Sequence, residues 1–317
     1  MRILTINDSL PTAEASVLTV GNFDGVHRGH RKLLDEVVHR APAEGLCSVA
    51  VTFDCHTRFE VGEKKGYNLL TTFGEKSRLI AMAGIDYLMK LPFDSTMSGK
   101  SAEAFIEEIL ITKLHMAAWV LGKGHAIGKD RGGNENFLRI MEGKYHFKTF
   151  IMDLVQVEDR TISSTQIREF IARGHVAEAV LQLGHPYLIT AERTTGKKLG
   201  AKLGYPTLNF KNPYSRKVIP PAGVYAAQME YGESVEDGAL YFGECPTFHD
   251  KREVHFEFFS FSRGDQEIPV GEGANLWVHS FIRPDWVFPG ADGLVKQIES
   301  DIENIKTYFK KESVQWH

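Results

Sequence analysis

Val17-Leu-Thr-Val-Gly-Asn-Phe-Asp-Gly-Val-His-Arg-Gly-His30 is the stretch that decides the fold of the first half of this chain. Its apolar start, Val17 to Val20, predicts a buried strand of a parallel sheet. Glycines at positions 21, 25 and 29 let the backbone turn tightly and approach a ligand closely. From Arg31 onward, apolar residues at helical spacing predict an amphipathic helix: Leu33, Leu34, Val37 and Val38.

His27 and His30 lie where this turn enters the predicted helix. Free backbone N–H groups and the positive end of the helix dipole favour an anion there. Two imidazoles at such a position suit a phosphate whose negative charge grows during a reaction. Two alternatives are an ordinary pair of histidines at a helix start and a zinc pair, but no Cys or His cluster supplies further ligands at zinc-site spacing.

The run GNFDGVHRGH resembles the N-terminal signature of the prokaryotic bifunctional riboflavin kinase/FAD synthetase family, which is a version of the H-x-G-H element of nucleotidylyltransferases. The resemblance implies that His27 and His30 are catalytic. It also implies an ATP phosphate site on the four residues of the turn: Gly21, Asn22, Phe23 and Asp24.

The composition favours two ordinary globular domains. The chain has 317 residues, 43% of them hydrophobic and 25% charged, which is enough for two cores. A net charge of −4 gives no basic field to recruit nucleic acid, and no apolar run is long enough to cross a bilayer. Three cysteines without metal-like spacing and no signal-peptide pattern predict a cytoplasmic protein.

Strands that alternate with helices predict an α/β, Rossmann-like domain with a parallel sheet over residues 1–184. Ligands of such sheets bind beyond the carboxyl ends of the strands. After the opening strand, the predicted strands are Cys47–Phe53, Asp86–Leu91, Ala118–Gly122 and Thr149–Val155. The Gly-rich loop 122–133, which carries three basic side chains, is interpreted equally well as a phosphate-binding loop or as a solvated surface loop.

A second helix start lies at Ile162-Ser-Ser-Thr-Gln-Ile-Arg168. Ser163 and Gln166 fit a capping box, and Arg168, one turn along, is suited to bind a phosphate through its guanidinium. The run resembles the second nucleotidylyltransferase signature of the same family, which implies that Ser164, Thr165 and Arg168 bind the triphosphate.

Residues 185–317 predict a different domain, a small antiparallel six-stranded β-barrel that ends in one helix. The strand-like runs, punctuated by Gly and Pro, are Gly223–Tyr231, Gly238–Gly243, Arg252–Phe261 and Asn275–Arg283. The helix over Asp292–Phe309 presents an apolar stripe: Leu294, Ile298, Ile302, Ile305 and Phe309.

The barrel opens with a glycine- and lysine-rich segment, followed by Thr207 and Asn209 on one face of an extended run. Taken alone, the segment is interpreted as an ordinary basic turn, although it is also able to cradle a polyphosphate. Hydroxyl and amide oxygens beside a phosphate suit Mg²⁺. GAKLGYPTLNF resembles the riboflavin kinase signature, which implies magnesium at Thr207 and Asn209. The candidate ATP-binding residues of this segment are Gly196, Gly200 and Lys202.

The E-V-H segment of the strand 252–261 resembles the family segment that carries the base for the riboflavin hydroxyl, which implies Glu253 in that role. FIRPDWVF resembles the family's closing segment, which implies that Arg283 lies near the flavin.

The chain departs from the family pattern in both halves. Gly124-His125 replaces an Asp or Asn followed by Phe, and Cys55 and Thr57 replace prolines beside His56. In the barrel segment, Ala201 replaces a frequent Arg and Tyr241 a frequent Asn. These departures affect substrate and magnesium binding more than the fold.

The resemblance as a whole implies an enzyme that phosphorylates riboflavin with ATP to give FMN, and then joins FMN to AMP from a second ATP to give FAD and pyrophosphate. Its substrates are riboflavin, FMN and ATP, with Mg²⁺ as cofactor and neither nucleic acid nor membrane as partner. Two alternatives stay open: an enzyme that retains one of the two activities, and a non-catalytic flavin-binding or regulatory protein. The sequence does not fix the oligomeric state.

Overall fold

The fold was examined in a computed structural model, which describes residues 1–54, 68–124, 135–157, 160–196, 199–214, 216–245, 253–262 and 268–311. The chain forms two compact units, Met1–Ser164 and Thr165–His317. Each unit has its own sheet, and the fold class predicted from the sequence is confirmed in both.

The first unit is built on a six-stranded sheet in which all neighbouring strands are parallel. The strands are β1 (Arg2–Thr5), β2 (Ser16–Val20), β3 (Cys47–Phe53), β4 (Tyr87–Leu91), β5 (Met116–Gly122) and β6 (Lys148–Met152), in the order β1-β4-β3-β2-β5-β6. The central strand β2 is buried along its whole length, as expected for a parallel strand covered on both faces. The edge strand β1 was not predicted from the sequence.

Helices follow most of these strands. They are α1 (Arg28–Ala43), α2 (Phe73–Met82), α3 (Ser95–Ser98), α4 (Ala102–Phe105) and α5 (Glu135–Tyr145). Helix α4 continues directly as a π-helix over Ile106–Ile111. The wider π turn leaves Ile106, Ile109 and Leu110 all buried in the core beneath the sheet. A short hairpin of β7 (Gln156–Val157) and β8 (Arg160–Thr161) precedes α6 (Ser164–Ala172).

The second unit is a closed antiparallel barrel of six strands in the order β10-β13-β12-β11-β14-β9. The strands are β9 (Tyr187–Thr194), β10 (Leu208–Lys211), β11 (Gly223–Tyr231), β12 (Ser234–Cys245), β13 (Glu253–Ser260) and β14 (Gly273–Pro284). Large aromatic side chains fill the unit's core and are fully buried: Phe210, Tyr225, Phe242, Phe256 and Phe258. Alternate residues of β13 are less buried, as the two-residue period of a strand requires.

Helix α6 lies in the second unit from Thr165 onward, followed by α7 (Val176–Leu183), the short α8 (Leu199–Lys202) and α9 (Ala291–Lys311). Ile305 of α9 is fully buried and packs with Val224 and Ala226 of β11. Among the described residues, no helix is both long enough and apolar enough to span a membrane.

The two units meet in the chain at Ser164/Thr165, whereas the sequence predicted a boundary at 184/185. Helix α7 contacts β9 and β14, so it belongs with the barrel although its sequence continues the helical pattern of the first half. The predicted boundary follows the change from a helical to a strand pattern, and the division into domains of residues 1–184 and 185–317 stays a prediction.

The buried His279 of β14 predicts that the barrel loses stability in mild acid. Its Nε2–H donates to the Gln228 carboxamide oxygen at 3.0 Å, and its ring packs against Phe309 of α9. Burial lowers the pKa of His279 from 6.5 to about 4. The unfolded chain therefore binds more protons than the native chain between these values, so this contribution to stability is complete above the unfolded pKa and is lost as the pH falls toward the folded one.

We expect a loss of up to about 3 kcal/mol of barrel stability between about pH 7 and pH 4. Urea unfolding at each pH, read by pulsed hydrogen exchange of peptides 223–231 and 273–284, measures this loss. His279→Gln should flatten the dependence on pH, and an equal slope in both proteins would contradict the assignment.

Candidate active sites

The turn between β2 and α1 brings the two motif histidines into contact. His27 is the N-cap of α1, and its Nδ1 accepts a hydrogen bond from the backbone N–H of His30 at 3.4 Å. The imidazoles are stacked with their centroids 3.6 Å apart and their planes 16° from parallel. Because Nδ1 of His27 accepts, the proton of its neutral ring lies on Nε2.

His30 is held neutral at neutral pH. Burial lowers its pKa well below the usual value of 6.5, and the neighbouring charges of His27 and Lys76 lower it further. Its Nδ1 is buried and has no hydrogen-bond partner among the described residues, which favours the tautomer with the proton on Nε2. His30 is therefore able to present an uncharged N–H donor beside His27.

The Asp24 carboxylate accepts hydrogen bonds from the chain's own backbone. Its Oδ1 accepts from the N–H groups of Leu70 and Thr71, both at 3.0 Å, and the side chain is 2% exposed. Phe23 is fully buried and adopts a positive φ of 48°. Of the four turn residues predicted to bind phosphate, Phe23 and Asp24 therefore stabilise the conformation of the turn. Phosphate binding by the four, Gly21 and Asn22 included, stays a prediction.

Ser164 connects the second predicted signature to this turn. Its Oγ donates to the backbone carbonyl of Asp24 at 2.9 Å. Ser164 thus contacts the turn within the first unit, although it lies 140 residues from Asp24 in sequence. Thr165 and Arg168 follow on the same helix, where the Arg168 guanidinium approaches the Thr165 hydroxyl at 3.5 Å. Of the loop 122–133, residues 125–133 lie outside the described residues, as do Cys55, Thr57 and His125.

The barrel unit contains a cavity of about 350 Å³ between one outer face of the barrel, helix α9 and the segment that follows β14. It is lined mainly by apolar and aromatic side chains, with a few polar ones, as ligand pockets usually are. Three residues of the predicted apolar stripe of α9 form one wall: Leu294, Ile298 and Ile302. Trp286 and Phe288 form another.

Arg283, predicted to lie near a flavin, lines this cavity and is fixed by a buried ion pair. Its Nε lies 2.8 Å and 3.1 Å from the two carboxylate oxygens of Asp301 on α9. Arg283 is 9% exposed and Asp301 is 4% exposed. The guanidinium also lies over the rings of Trp286 and Phe288, at 5.1 Å and 5.7 Å. Arg283 thus orders the aromatic wall of the cavity.

Replacing Arg283 with Met should destabilise the barrel by about 3–5 kcal/mol, because it leaves the Asp301 carboxylate buried without a cation. Urea unfolding measures the loss. The double variant Arg283→Met/Asp301→Asn, which removes the uncompensated charge, should recover part of it. A single variant as stable as wild type would show that the pair contributes nothing.

A polar cluster occupies the same cavity beside this aromatic wall. The Thr207 hydroxyl donates to the Glu257 carboxylate at 3.0 Å, and both residues line the cavity. Asn209 lies directly opposite Glu257 in the β10–β13 ladder, so their side chains share one face of the barrel. Gly196 packs so closely on the Asn209 amide that any side chain at position 196 would collide with it. The sequence predicted Thr207 and Asn209 here but not Glu257.

Glu253 lies four residues before Glu257 on β13, at the end of that strand. Four residues correspond to about 13 Å along a strand. The backbone of Glu253 pairs with Cys245, and its side chain lies outside the described part of the structure. Of the predicted ATP-binding residues in the loop, Gly200 lines the cavity and Lys202 is exposed.

Tyr241, one of the departures from the family pattern, also faces the cavity, directly across the β12–β13 ladder from Glu257. Burial first, and then the hydrogen-bonded carboxylate of Asp285, raise its pKa to about 12. The phenol is therefore a neutral donor to Asp285. Gly243 leaves room for the ring, because a Cβ there would come within 2.7 Å of it.

Lys76 is a further residue that the sequence analysis did not select. Its ammonium is buried beside the histidine turn, where it donates to the carbonyl of Asn22 at 2.8 Å. A lysine in the first turns of a helix normally indicates a solvated face, so no sequence signal singles it out.

Comparison with known proteins matches two family models to the chain. The model described as FAD synthetase matches residues 9–166, and the model described as riboflavin kinase matches residues 183–309. Curated proteins described as bifunctional riboflavin kinase/FMN adenylyltransferase are similar over nearly the whole length. The protein of Buchnera aphidicola subsp. Schizaphis graminum is 32% identical, with 93% of this chain and 94% of the relative covered. That of Escherichia coli K12 is 30% identical, with 96% of each covered.

A solved structure shares the fold. A crystal structure described as a macrolide-efflux protein from Streptococcus pneumoniae superposes with a TM-score of 0.83 and 26% sequence identity, and covers 100% of both chains.

Proposed function

This chain belongs to the bifunctional riboflavin kinase/FMN adenylyltransferase family, and we propose from that membership and from the two sites that it converts riboflavin to FMN and FMN to FAD, with ATP as the donor in both steps. The observation that supports this most directly is that each matched family model falls on a separately folded unit with its own candidate site. The reactions are those of a kinase in the barrel and of an adenylyltransferase in the parallel-sheet unit.

In the parallel-sheet unit, the stacked histidines contribute to adenylyl transfer as hydrogen-bond donors. The FMN phosphate oxygen attacks the α-phosphorus of ATP, and the bond to pyrophosphate breaks. The Nε2–H groups of His27 and His30 stabilise the charge that develops on the oxygens of the α-phosphate. Ser164 holds the start of α6 to the same turn, and Thr165 and Arg168 stay predicted ligands of the triphosphate.

In the barrel, the apolar part of the cavity accommodates the flavin rings and the polar cluster faces the ribityl chain. The aromatic wall of Trp286 and Phe288, ordered by Arg283, provides stacking surface. Thr207 and Glu257 mark the end of the cavity at which a terminal hydroxyl meets a phosphoryl donor. Little covalent chemistry then falls to the protein, so positioning carries most of the catalysis.

Magnesium fits this polar cluster. Thr207 and Asn209 supply hydroxyl and amide oxygen donors, which Mg²⁺ accepts alongside water and substrate phosphates. The neighbouring Glu257 carboxylate makes the cluster more favourable for a cation. When bound, the ion would neutralise charge on the transferring phosphoryl group.

We favour Glu257 over Glu253 as the acceptor of the riboflavin hydroxyl proton. A general base must come within hydrogen-bond reach of the proton that it accepts. Glu257 contacts Thr207 and lines the cavity, whereas the Cα of Glu253 lies about 13 Å further along the strand. The E-V-H pattern that pointed to Glu253 is a local match, and the assignment of Glu253 stays a prediction to be tested beside Glu257.

Two half-reactions test the proposal. The purified chain is incubated with ATP and Mg²⁺ and either riboflavin or FMN, and the flavins are separated by chromatography. We expect FMN from the first substrate before FAD appears, and FAD with an equal amount of pyrophosphate from the second. FMN alone would indicate a kinase, FAD from FMN alone an adenylyltransferase, and no product a flavin-binding protein. The cytoplasmic location also stays a prediction.

A further inference from the structure

Lys76 is a buried cation that neither proposed reaction uses. It lies on α2 and is 7% exposed. Its ammonium donates to three oxygens: the Asn22 carbonyl at 2.8 Å, the Thr52 hydroxyl at 3.0 Å and the Phe53 carbonyl at 3.2 Å. An ammonium has three N–H donors, so its hydrogen-bonding capacity is filled.

These acceptors come from two separate segments. Asn22 belongs to the turn that carries His27, and Thr52 and Phe53 end the neighbouring strand β3. The Thr52 hydroxyl also donates to the Asn22 carbonyl, at 3.3 Å. Lys76 thus joins the histidine turn to the carboxyl end of the adjacent strand. An apolar side chain of similar length would leave the Phe53 carbonyl without this donor.

Burying an ammonium costs free energy unless it is fully hydrogen-bonded. The positive charge also acts on His30, whose neutral state it favours together with burial and with His27. One side chain therefore fixes the backbone of the turn and the charge state of one of its histidines.

We propose that Lys76 is a positioning residue for adenylyl transfer, which holds the turn at Asn22 against the end of β3 so that the His27–His30 pair faces the α-phosphate. The inference rests on the proposed function of this unit. It predicts that loss of the ammonium disturbs the histidine pair while the barrel chemistry is unaffected.

The test uses the full-length chain and Lys76→Met. FAD formation from FMN should fall by about 10²-fold in kcat, the order of loss that a displacement of about 1 Å produces. FMN formation from riboflavin should change less than about twofold, since that site lies in the other unit. With isotope-labelled histidine, the NMR titration of His30 should move to higher pH, because a nearby positive charge has been removed.

Two controls separate positioning from general damage. Lys148→Met removes an exposed lysine of β6 and should leave both readouts unchanged. Thr52→Val removes one acceptor but keeps the cation, so FAD formation should fall by about 3–10-fold while the His30 titration stays in place. If Lys76→Met fails to fold, the Thr52→Val variant still tests whether this contact positions the turn.

A folded Lys76→Met variant with wild-type adenylylation and an unmoved His30 titration would overturn the proposal, as would a Thr52→Val variant of wild-type activity. The titration is independent of turnover. If the wild-type chain made no FAD, the proposed function would fail while the link between Lys76 and His30 remained measurable.

Discussion

His27→Ala is expected to lower FAD formation from FMN by about 10²–10³-fold and to leave FMN formation from riboflavin nearly unchanged. His27 forms half of the stacked pair and caps α1, so its loss removes one donor to the α-phosphate and loosens His30. The barrel folds as a separate unit with its own cavity, which is why its reaction should survive. Initial rates of the two half-reactions, measured separately, give both numbers.

His39→Ala is the matched control, because His39 is an exposed histidine on the same helix. It should leave both rates unchanged. An equal loss of both activities in a folded His27→Ala variant would contradict the assignment of one chemistry to each unit.

Glu257→Gln is expected to lower FMN formation by about 10²–10⁴-fold, the usual cost of losing a general base. Glutamine keeps the shape of the side chain and is able to accept the hydrogen bond from Thr207, but it has no basic oxygen to take the hydroxyl proton. Riboflavin binding should persist, since the aromatic wall of the cavity is untouched. Initial rates of FMN formation from riboflavin and ATP measure turnover, and a fluorescence titration with riboflavin measures binding.

Glu253→Gln is the comparison that decides between the two carboxylates. We expect it to lower FMN formation by less than about tenfold, because its backbone lies about 13 Å along β13 from the Thr207–Glu257 cluster. Glu233→Gln, an exposed residue in the turn between β11 and β12, controls for charge. Near wild-type FMN formation by Glu257→Gln with a large loss in Glu253→Gln would restore the assignment made from the sequence motif.

The strands that the sequence predicted well are those with a strong local pattern. Cys47–Phe53 matches β3 residue for residue, and Gly223–Tyr231 matches β11. Both are mainly apolar runs bounded by turn residues, a pattern typical of strands. The strands of the main sheet and the barrel that were missed are β1, β9 and β10, and the short hairpin of β7 and β8 was missed as well. β1 and β10 have four residues each, and β9 follows directly on a helical segment, so their pairing depends on partners distant in sequence.

The sites divide in the same way. The contact of His27 with His30 follows from their spacing of three residues at a helix start, and this spacing is visible in the sequence. Glu257 meets Thr207 across 50 residues, and Lys76 meets Asn22 across 54. Such contacts are set by strand register and by helix packing. Glu253 was assigned from a motif along one strand, and such a motif carries no information on distances between neighbouring strands.

The central claim is that one polypeptide carries out both phosphorus transfers in succession. The most direct measurement supplies the wild-type chain with riboflavin and with ATP radiolabelled either at the γ-phosphate or at the α-phosphate, and counts the label in the FAD peak. Labelled FAD is expected in both experiments, since the kinase step places the γ-phosphate in FMN and the adenylyl step adds the α-phosphate. No labelled FAD, or label from one position alone, would contradict the central claim.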